Sequence, residues 1–249
     1  MSKADRARID QLLFDRGVAE SRTRAQALVL AGKVFVKGHR CDKPGTKVDA
    51  DVELEVRGVR EWVSRGAYKL LGALEHFSEV APALDGADCL DVGASTGGFT
   101  DVMLKHGARR VVALDVGYGQ LHERLRQDER VTVIDRTNVR TLEAGSLPFQ
   151  PSFLTVDTAF ISVRKFLPVL VRELREEGMA VILVKPQFEV GREKVGKGGV
   201  VRNDKDRFAA LDAVRTDALA LGFQEIGSVE SPISGPKGNR EFLLVLKKA

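Results

Sequence analysis

Five short apolar runs alternate with helix-like stretches through the middle of the chain, and this alternation constrains the fold more than any other feature. The runs cover residues 89–94, 110–116, 131–135, 153–157 and 179–185. Apolar runs of this length, separated by helical segments, predict repeated strand–helix–strand units and a mostly parallel sheet. We therefore predict a doubly wound α/β fold. Two further strands, at 225–229 and 240–246, would complete a sheet of seven.

A charged residue stands at or near the end of each of the five runs. These residues are Asp91, Asp115, Asp135, Asp157 and Lys185. A single strand-end acid is often only a helix cap, but a series at successive strand ends indicates a site. Because ligands of such sheets bind at the carboxyl ends of the strands, we expect all five side chains to surround one crevice.

A glycine-rich stretch, Asp91 to Asp101 (DVGASTGGFTD), joins the first run to a helix. Such a turn brings bare backbone and helix N–H groups close to a ligand. It lacks the Gly-Lys-Ser/Thr of a P-loop and the G-x-G-x-x-G order of a dinucleotide site. Gly93 to Gly97 matches the G-x-S-x-G nucleophile elbow, but none of the four histidines follows the later strands as a hydrolase triad requires. The remaining interpretation is the first loop of a class I, Rossmann-like methyltransferase that holds S-adenosylmethionine.

The predicted cofactor contacts follow from this interpretation. Asp115 is placed to accept hydrogen bonds from ribose hydroxyls, as the corresponding acid does in dinucleotide sites. Asp135, Arg136 and Thr137 would flank the adenine. The complete predicted set is Asp91, Gly93, Ala94, Ser95, Thr96, Gly97, Gly98, Phe99, Asp115, Asp135, Arg136, Thr137 and Asp157.

Positive charge is concentrated at the start of the chain. Residues 1–47 contain eleven Lys/Arg against five Asp/Glu, an excess of six, whereas the whole chain has a net charge of only +4. The pattern predicts helices at 5–17 and 21–30 (the second capped by Ser21), then strands at 32–38 and 48–56. A basic module on a near-neutral body indicates a nucleic-acid-binding segment.

Two cysteines, Cys41 and Cys89, form neither a disulfide framework nor a zinc signature. The start of the chain has no apolar signal core, and no apolar run approaches the length of a membrane span. We therefore expect a cytoplasmic protein without a metal.

The basic module resembles the S4 RNA-binding domain through residues 8–13, 21–25 and 32–38. The chain as a whole resembles the TlyA (hemolysin A) family, in which an S4 domain precedes an FtsJ-type ribose methyltransferase. The stretches that carry this resemblance are 64–70, 91–101, 115–121 and 184–191. It implies an S4 domain at 1–57, a linker at 58–64 and a methyltransferase domain at 65–249. The family's linker motif, Arg-x-Trp-Val, falls on Arg60, Trp62 and Val63.

The resemblance implies 2′-O-methylation of cytidine in ribosomal RNA, with S-adenosylmethionine as the methyl donor. The family's Lys-Asp-Lys-Glu tetrad falls on Lys69, Asp157, Lys185 and Glu241. Lys185 would accept the hydroxyl proton, since burial and a second cation, Lys69, favour a neutral lysine. Asp157 would orient it, and Glu241 would hold the lysine or the hydroxyl. The helix pattern alone, by contrast, predicts Lys69 as a surface lysine. Predicted RNA contacts are Arg6, Arg8, Arg22, Arg24, Lys33, Lys37 and Arg65.

Two other functions remain as alternatives. The family's historical name suggests a membrane-active cytolysin, and the S4-like segment is compatible with a non-catalytic RNA-binding protein. The glycine-rich basic stretch 186–203 is either a lid over the substrate or a solvated linker. The sequence does not distinguish a monomer from a homodimer, nor does it identify the target nucleotide or the ribosomal subunit.

Overall fold

The structure is a computed structural model that describes residues 6–19, 21–58 and 61–249 of the chain. It divides into two compact units, with the boundary between Glu61 and Trp62, inside the predicted linker 58–64. We refer to them as the N-terminal unit and the C-terminal unit. The predicted linker residue Arg60 lies outside the described residues.

Within the residues that the structure describes, the N-terminal unit contains two helices and five short strands. In chain order they are β1 (Arg6–Arg8), α1 (Ile9–Asp15), α2 (Arg22–Leu30), β2 (Val34–Val36), β3 (His39–Cys41), β4 (Lys47–Asp49) and β5 (Leu54–Val56). β1 pairs with β4, and β3, β2 and β5 form an antiparallel sheet in that order. Ile9, Leu13, Ala25, Val29 and Val34 are completely buried and belong to its core.

Three predictions for this unit need correction. The first helix begins at Ile9 rather than residue 5, because Arg6–Arg8 pairs as a strand with Lys47–Asp49. The predicted strand 48–56 is interrupted between Asp49 and Leu54. The predicted strand 32–38 instead ends in a hairpin to β3, which the sequence analysis missed. Lys37 and Gly38 both have positive φ, 49° and 80°, as the two-residue turn between paired strands requires.

The C-terminal unit alternates strands and helices around one sheet. Its elements are α3 (Ala67–His76), α4 (Val80–Leu84), β6 (Asp88–Val92), α5 (Gly98–Lys105), β7 (Arg110–Leu114), α6 (Glu123–Arg126), β8 (Val131–Ile134), β9 (Phe153–Val156), α7 (Leu167–Glu173), β10 (Met179–Val184), α8 (Pro186–Glu189), α9 (Asp204–Ala220), β11 (Phe223–Glu230) and β12 (Phe242–Lys248). Short 3-10 turns cover Val139–Thr141, Val163–Lys165, Arg192–Lys194 and Pro236–Gly238.

The predicted seven-stranded, mostly parallel sheet is confirmed. Its order is β11-β12-β10-β9-β6-β7-β8. β10, β9, β6, β7 and β8 are mutually parallel, and only β12 and β11 pair antiparallel. Alternate residues of β10 enter two separate hydrophobic clusters, one on each face, with Val181 in the first and Ile182 in the second. Helices therefore cover both faces, as a buried parallel sheet requires.

The predicted boundaries in this unit differ from the structure by a few residues. The parallel strands end one or two residues earlier than predicted, because the chain turns away at the site-bearing residues. The predicted helix from Arg65 begins at Ala67, and the last strand begins at Phe242. The predicted loop 186–203 contains α8, a 3-10 turn and an isolated bridge between Gly196 and Val200. Helix α4 was not predicted.

Candidate active site

The glycine-rich turn lies at the carboxyl end of β6 and requires glycine at defined positions. Gly93 has φ +82°, and a Cβ there would lie 2.6 Å from the backbone oxygen of Asp157. Gly97, with φ +96°, is the N-cap of α5. At Gly98 a Cβ would collide with Ser64 Oγ and lie 2.8 Å from the backbone nitrogen of Ala67, so glycine allows α5 to pack closely against the start of α3. The turn is thus held against two neighbouring elements.

Asp91 is completely buried beneath this turn. It accepts a hydrogen bond of 2.6 Å from Thr100 Oγ1 on α5 and one of 2.9 Å from Thr155 Oγ1 on β9. Burial raises the pKa of Asp91 to about 6, although the two threonine hydroxyls act in the opposite direction. Asp91 therefore joins β6, α5 and β9 at the floor of the site.

Asp115 lies at the end of β7 and orders the backbone around it. Its carboxylate accepts hydrogen bonds from the N–H of Ser95, at 2.8 Å, and of Gly117, at 2.7 Å. Ser95 has a positive φ of 48°, which aims its N–H at Asp115. A carboxylate has about four lone-pair sites, so Asp115 keeps acceptor capacity for a ligand hydroxyl.

A cavity of about 640 Å³ opens above the turn. Most of the predicted cofactor residues line it, together with two of the predicted catalytic residues that lie outside that set. These lining residues are Asp91, Gly93, Ala94, Ser95, Thr96, Gly98, Phe99, Asp115, Thr137, Asp157, Lys69 and Lys185. The structure thus brings four of the five strand-end residues together in one crevice.

The fifth strand-end residue, Asp135, is not among the residues that line the cavity. Its carboxylate accepts the N–H of Gly119 at 3.0 Å and pairs with Arg126 at 3.3 Å. Its neighbour Arg136, also outside the lining, stacks its guanidinium 4.2 Å from the ring centre of Tyr118. Gly97 instead faces Leu125. These three predicted cofactor residues order the walls of the cavity without facing it.

The four predicted catalytic residues form a continuous chain of ion pairs. Lys69 Nζ lies 2.7 Å from Glu241 Oε2 and 3.8 Å from Asp157 Oδ2, and Lys185 pairs with Asp157 Oδ1. Lys69 is 7% exposed, Lys185 9% and Glu241 0%. The prediction of Lys69 as a surface lysine is wrong, because α3 turns this side chain inward to the carboxylates. Two cations and two carboxylates balance each other in charge, which makes their shared burial tolerable.

One oxygen of the tetrad lacks a partner. Oε1 of Glu241 is buried and accepts no hydrogen bond from the residues that the structure describes. A buried carboxylate oxygen without a donor is costly, and Glu241 is not among the residues that line the cavity. The loop after β11 packs against this oxygen. A Cβ added at Gly235 would lie 2.1 Å from Oε1, so only glycine fits here without a shift.

An exposed aromatic side chain stands at the mouth of the cavity, and the sequence analysis missed it. Phe160 lines the cavity, is 93% exposed and has a positive φ of 65°. Its ring centre lies 5.6 Å from that of Phe188. Glu189 holds the two loops together, since it accepts the Ser162 hydroxyl at 2.5 Å and the Val163 N–H at 2.8 Å. The exposure of Phe160 and its strained backbone conformation are visible only in the structure, so the sequence contained no signal for this residue.

Two of the three predicted linker residues, Trp62 and Val63, pack inside the C-terminal unit. Trp62 is buried, stacks on His106 at 6.4 Å, and has Lys105 Nζ 4.0 Å from its ring centre. The N–H of Val63 donates to Asp101 Oδ2 at 3.0 Å. Asp101 lies on α5, so the first residues of this unit are bonded to the helix that follows the glycine-rich turn.

The predicted RNA-binding side chains of the N-terminal unit lie on its surface. Arg6 donates to Lys47 O at 3.1 Å, and Lys33 donates to Gly58 O at 2.9 Å. Six of the seven predicted contacts are exposed, namely Arg6, Arg8, Arg22, Arg24, Lys37 and, in the C-terminal unit, Arg65, whereas Lys33 is half-buried.

Two absences hold for residues 6–19, 21–58 and 61–249. No group of three metal-ligating side chains is close enough together to hold an ion. Within the same ranges, every helix is too short or too polar to cross a bilayer.

Comparison with known proteins defines the class and then the family. The family model described as FtsJ-like methyltransferase matches residues 62–248, and the model described as S4 domain matches residues 7–54. A crystal structure described as an S-adenosylmethionine-dependent methyltransferase from Listeria monocytogenes shares the fold of 73% of this chain and all of its own, with a TM-score of 0.54 at 17% identity. The fold is therefore that of a methyltransferase.

Two relatives are similar along almost the whole chain. The 16S/23S rRNA (cytidine-2′-O)-methyltransferase TlyA of Mycobacterium tuberculosis is 48% identical over 98% of this chain and 91% of its own length. The structure of a protein described as a hemolysin from Streptococcus thermophilus has a TM-score of 0.73 at 42% identity, and the match covers 99% of this chain and 90% of that one. The chain belongs to the TlyA family of S4-containing, FtsJ-like methyltransferases.

Proposed function

We propose that this methyltransferase transfers the methyl group of S-adenosylmethionine to the 2′-hydroxyl of a cytidine in ribosomal RNA. The observation that carries the proposal is the buried chain Glu241–Lys69–Asp157–Lys185, which reaches the cavity above the glycine-rich turn through Lys69, Asp157 and Lys185. The name of the Mycobacterium tuberculosis relative supports the substrate class.

The residues of the cavity fit the cofactor. Gly93 lets the turn pack against the backbone of Asp157 beside the cavity, and Asp115 retains acceptor capacity for ribose hydroxyls. Thr137 lines the same cavity and would flank the base. When bound, S-adenosylmethionine supplies an activated methyl group on a sulfonium, so the protein needs only to align the acceptor and remove its proton.

The tetrad is suited to proton removal. Lys185, once it has released its own proton and is neutral, would accept the proton of the ribose hydroxyl, while Asp157, which lies within ion-pair distance of both lysines, fixes its position. Lys69 adds a second cation beside that carboxylate, and Glu241 holds Lys69 with one oxygen. Its other oxygen has no partner among the described residues and lies beside Gly235.

The rim of the cavity is suited to a nucleotide removed from its stack. An enzyme that modifies RNA within a helix must bring the target out to its active site. The exposed ring of Phe160, beside Phe188, offers a flat surface for a base. In this proposal the exposed basic residues of the N-terminal unit bind the RNA backbone, and a ribosomal substrate would place the protein in the cytoplasm.

Methyl transfer tests the proposal directly. Radiolabelled S-adenosylmethionine would be incubated with separated small subunits, large subunits and naked ribosomal RNA, and label on ribose would be located by resistance to alkaline cleavage. We expect ribose label on at least one RNA. Tight RNA binding without transfer would favour a non-catalytic RNA-binding protein. Leakage of protein-free liposomes at low protein concentration would favour a cytolysin.

A further inference from the structure

Asp10 is a completely buried carboxylate at the start of α1 in the N-terminal unit. It lies directly beneath two exposed arginines, Arg8 and Arg22. Asp10 was not among the predicted RNA-binding residues, since an acid weakens attraction to a phosphate backbone. Burial of a charged carboxylate is costly unless the charge is paired and hydrogen-bonded, so the contacts of Asp10 must explain its burial.

Four residues surround the carboxylate of Asp10, and Arg8 makes two hydrogen bonds to it. Arg8 donates from Nε to Oδ1 at 2.9 Å and from Nη2 to Oδ2 at 2.8 Å, which is a two-bond, in-plane pair. Gln26 Nε2 donates to Oδ2 at 2.9 Å, and the N–H of Gln11 donates to Oδ1 at 3.0 Å. Arg22 Nη2 lies 3.7 Å from the same Oδ2 that receives Arg8. One carboxylate thus holds two guanidinium groups near a single oxygen.

The two arginines nevertheless remain open to a partner. Their side chains are 47% and 50% exposed, whereas that of Asp10 is 0% exposed. The hydrogen bond from Arg8 is the main reason that the pKa of Asp10 lies well below its usual range, so the carboxylate stays charged at neutral pH. Each guanidinium has five N–H donors, and those not used by Asp10 can face outward.

We propose that Asp10 is a positioning residue that holds Arg8 and Arg22 together as a preformed site for phosphates of the RNA backbone. A free arginine loses considerable side-chain entropy when it binds a phosphate, and a guanidinium already fixed by a buried carboxylate loses less. The proposal rests on the proposed function, because it takes RNA as the ligand.

A purely structural role makes a different prediction from a positioning role. If Asp10 only stabilises α1, the variant Asp10→Asn removes a negative charge from a phosphate-binding surface and should bind RNA as tightly as the wild type, or more tightly. If Asp10 positions the arginines, the same variant should bind RNA more weakly, although its net charge is more positive. The two explanations thus differ in the sign of the effect.

The test is titration of the full-length protein with naked large-subunit ribosomal RNA over a range of salt concentrations. We expect Asp10→Asn to raise Kd about fivefold and to flatten the salt dependence by roughly one phosphate contact. The matched control is Glu55→Gln. Glu55 accepts the same two-bond pair from Arg57, at 2.8 and 2.7 Å, but both side chains are exposed. The Glu55→Gln variant should leave the Kd for RNA unchanged or lower it slightly.

A second variant covers the case in which Asp10→Asn unfolds the unit. Arg8→Lys keeps the charge and the buried carboxylate paired, but lysine cannot form the two-bond pair. We expect a similar loss of affinity, and no further loss in the double variant if that protein folds. Wild-type affinity in Arg8→Lys, or in a folded Asp10→Asn, would overturn the proposal. A wild type that binds RNA but methylates none would overturn the proposed function while leaving this comparison intact.

Discussion

Lys185 is the residue on which the proposed chemistry depends most. It follows β10 directly, is 9% exposed and pairs with Asp157 at the edge of the cavity. A hydroxyl reacts slowly until its proton has an acceptor, and a positioned general base typically contributes 10²–10⁴-fold to a rate. The position of Lys185 in the tetrad makes it the group that is placed to act as this general base.

We therefore predict that Lys185→Ala lowers kcat for methyl transfer at least about 100-fold. Binding of S-adenosylmethionine, measured by calorimetry, should stay close to the wild-type value, because the glycine-rich turn and Asp115 are unchanged. Lys165→Ala, at an exposed lysine of the same unit, is the control. Normal turnover by Lys185→Ala would rule out Lys185 as the base.

Gly235 allows a prediction about geometry alone. Its φ and ψ of −67° and 179° are open to any residue, so alanine would not strain the backbone. The added Cβ would, however, lie 2.1 Å from Glu241 Oε1 and push that carboxylate away from Lys69. We predict that Gly235→Ala lowers kcat by about tenfold or more and leaves cofactor binding unchanged.

The shorter side chain of aspartate provides the check on this prediction. In a Glu241→Asp background the carboxylate no longer reaches the space beside Gly235, so adding Gly235→Ala should cost little more. Equal and additive losses in both backgrounds would show that Gly235 acts through something other than Glu241.

At the scale of elements, the site is assembled where three parallel strands end. β6 supplies the turn and Asp91, β9 supplies Asp157, and β10 supplies Lys185. The register pairs Val92 with Val156, and the turn begins at the next residue. Gly93 and Asp157 therefore meet at backbone distance, which explains why the first residue of the turn cannot carry a side chain.

Asp91 links these elements, and its ionisation should make their stability depend on pH. The native pKa is raised to about 6, above the value of about 4 in an unfolded chain, so the unfolded state loses its proton first as pH rises. The native state is thus penalised progressively between about pH 4 and 6, and the penalty is complete above that window. It amounts to a few kcal/mol at most.

Asp91→Asn, which does not titrate, isolates this contribution. We predict that the free energy of unfolding of the wild type, relative to Asp91→Asn, falls as pH rises from about 4 to about 6 and is then constant. Urea unfolding followed by the fluorescence of Trp62, the single tryptophan, reports on the C-terminal unit. A difference that does not vary with pH would contradict the raised pKa.

At the scale of the whole molecule, the basic surface and the proposed chemistry belong to different units. The arginines Arg6 and Arg22 lie in the N-terminal unit, and the tetrad lies in the C-terminal unit. Attraction between the basic surface and RNA acts over about a Debye length and affects how tightly RNA binds. The tetrad affects the rate of the chemical step. Variants of the two units should therefore change different kinetic constants.

We predict that changing both Arg6 and Arg22 to Ala raises KM for RNA and lowers the slope of log K against log salt by roughly two contacts, with kcat unchanged at saturating RNA. The control replaces Arg40 and Arg57, which are also exposed but lie closer to their acidic partners (2.6 and 2.7 Å) than Arg6 and Arg22 do to theirs (4.0 and 3.7 Å). It removes the same charge, and we expect a smaller effect. Unaltered KM and salt slope in the Arg6/Arg22 variant would mean that RNA binds elsewhere.

Local patterns in the sequence determined the elements of this protein and the residues at their ends. The apolar runs gave the parallel strands to within a few residues, and Ser21 caps α2 with its hydroxyl 3.1 Å from the N–H of Arg24, as predicted. Such features depend on side chains a few positions apart, so a short window of sequence contains them.

Only the tertiary structure decided which distant side chains meet. Lys69 and Glu241 are 172 positions apart. The helix pattern around Lys69 predicted a solvent-exposed side chain, whereas in the fold Glu241, directly before the antiparallel strand β12, lies beside it. Asp135 ends its strand as Asp115 does, yet it turns to Gly119 and Arg126 and not to the cavity. Asp10 is buried and pairs with the exposed residues Arg8 and Arg22, an arrangement that the sequence analysis did not predict. Pairings of this kind arise from the packing of whole elements, which no local pattern records.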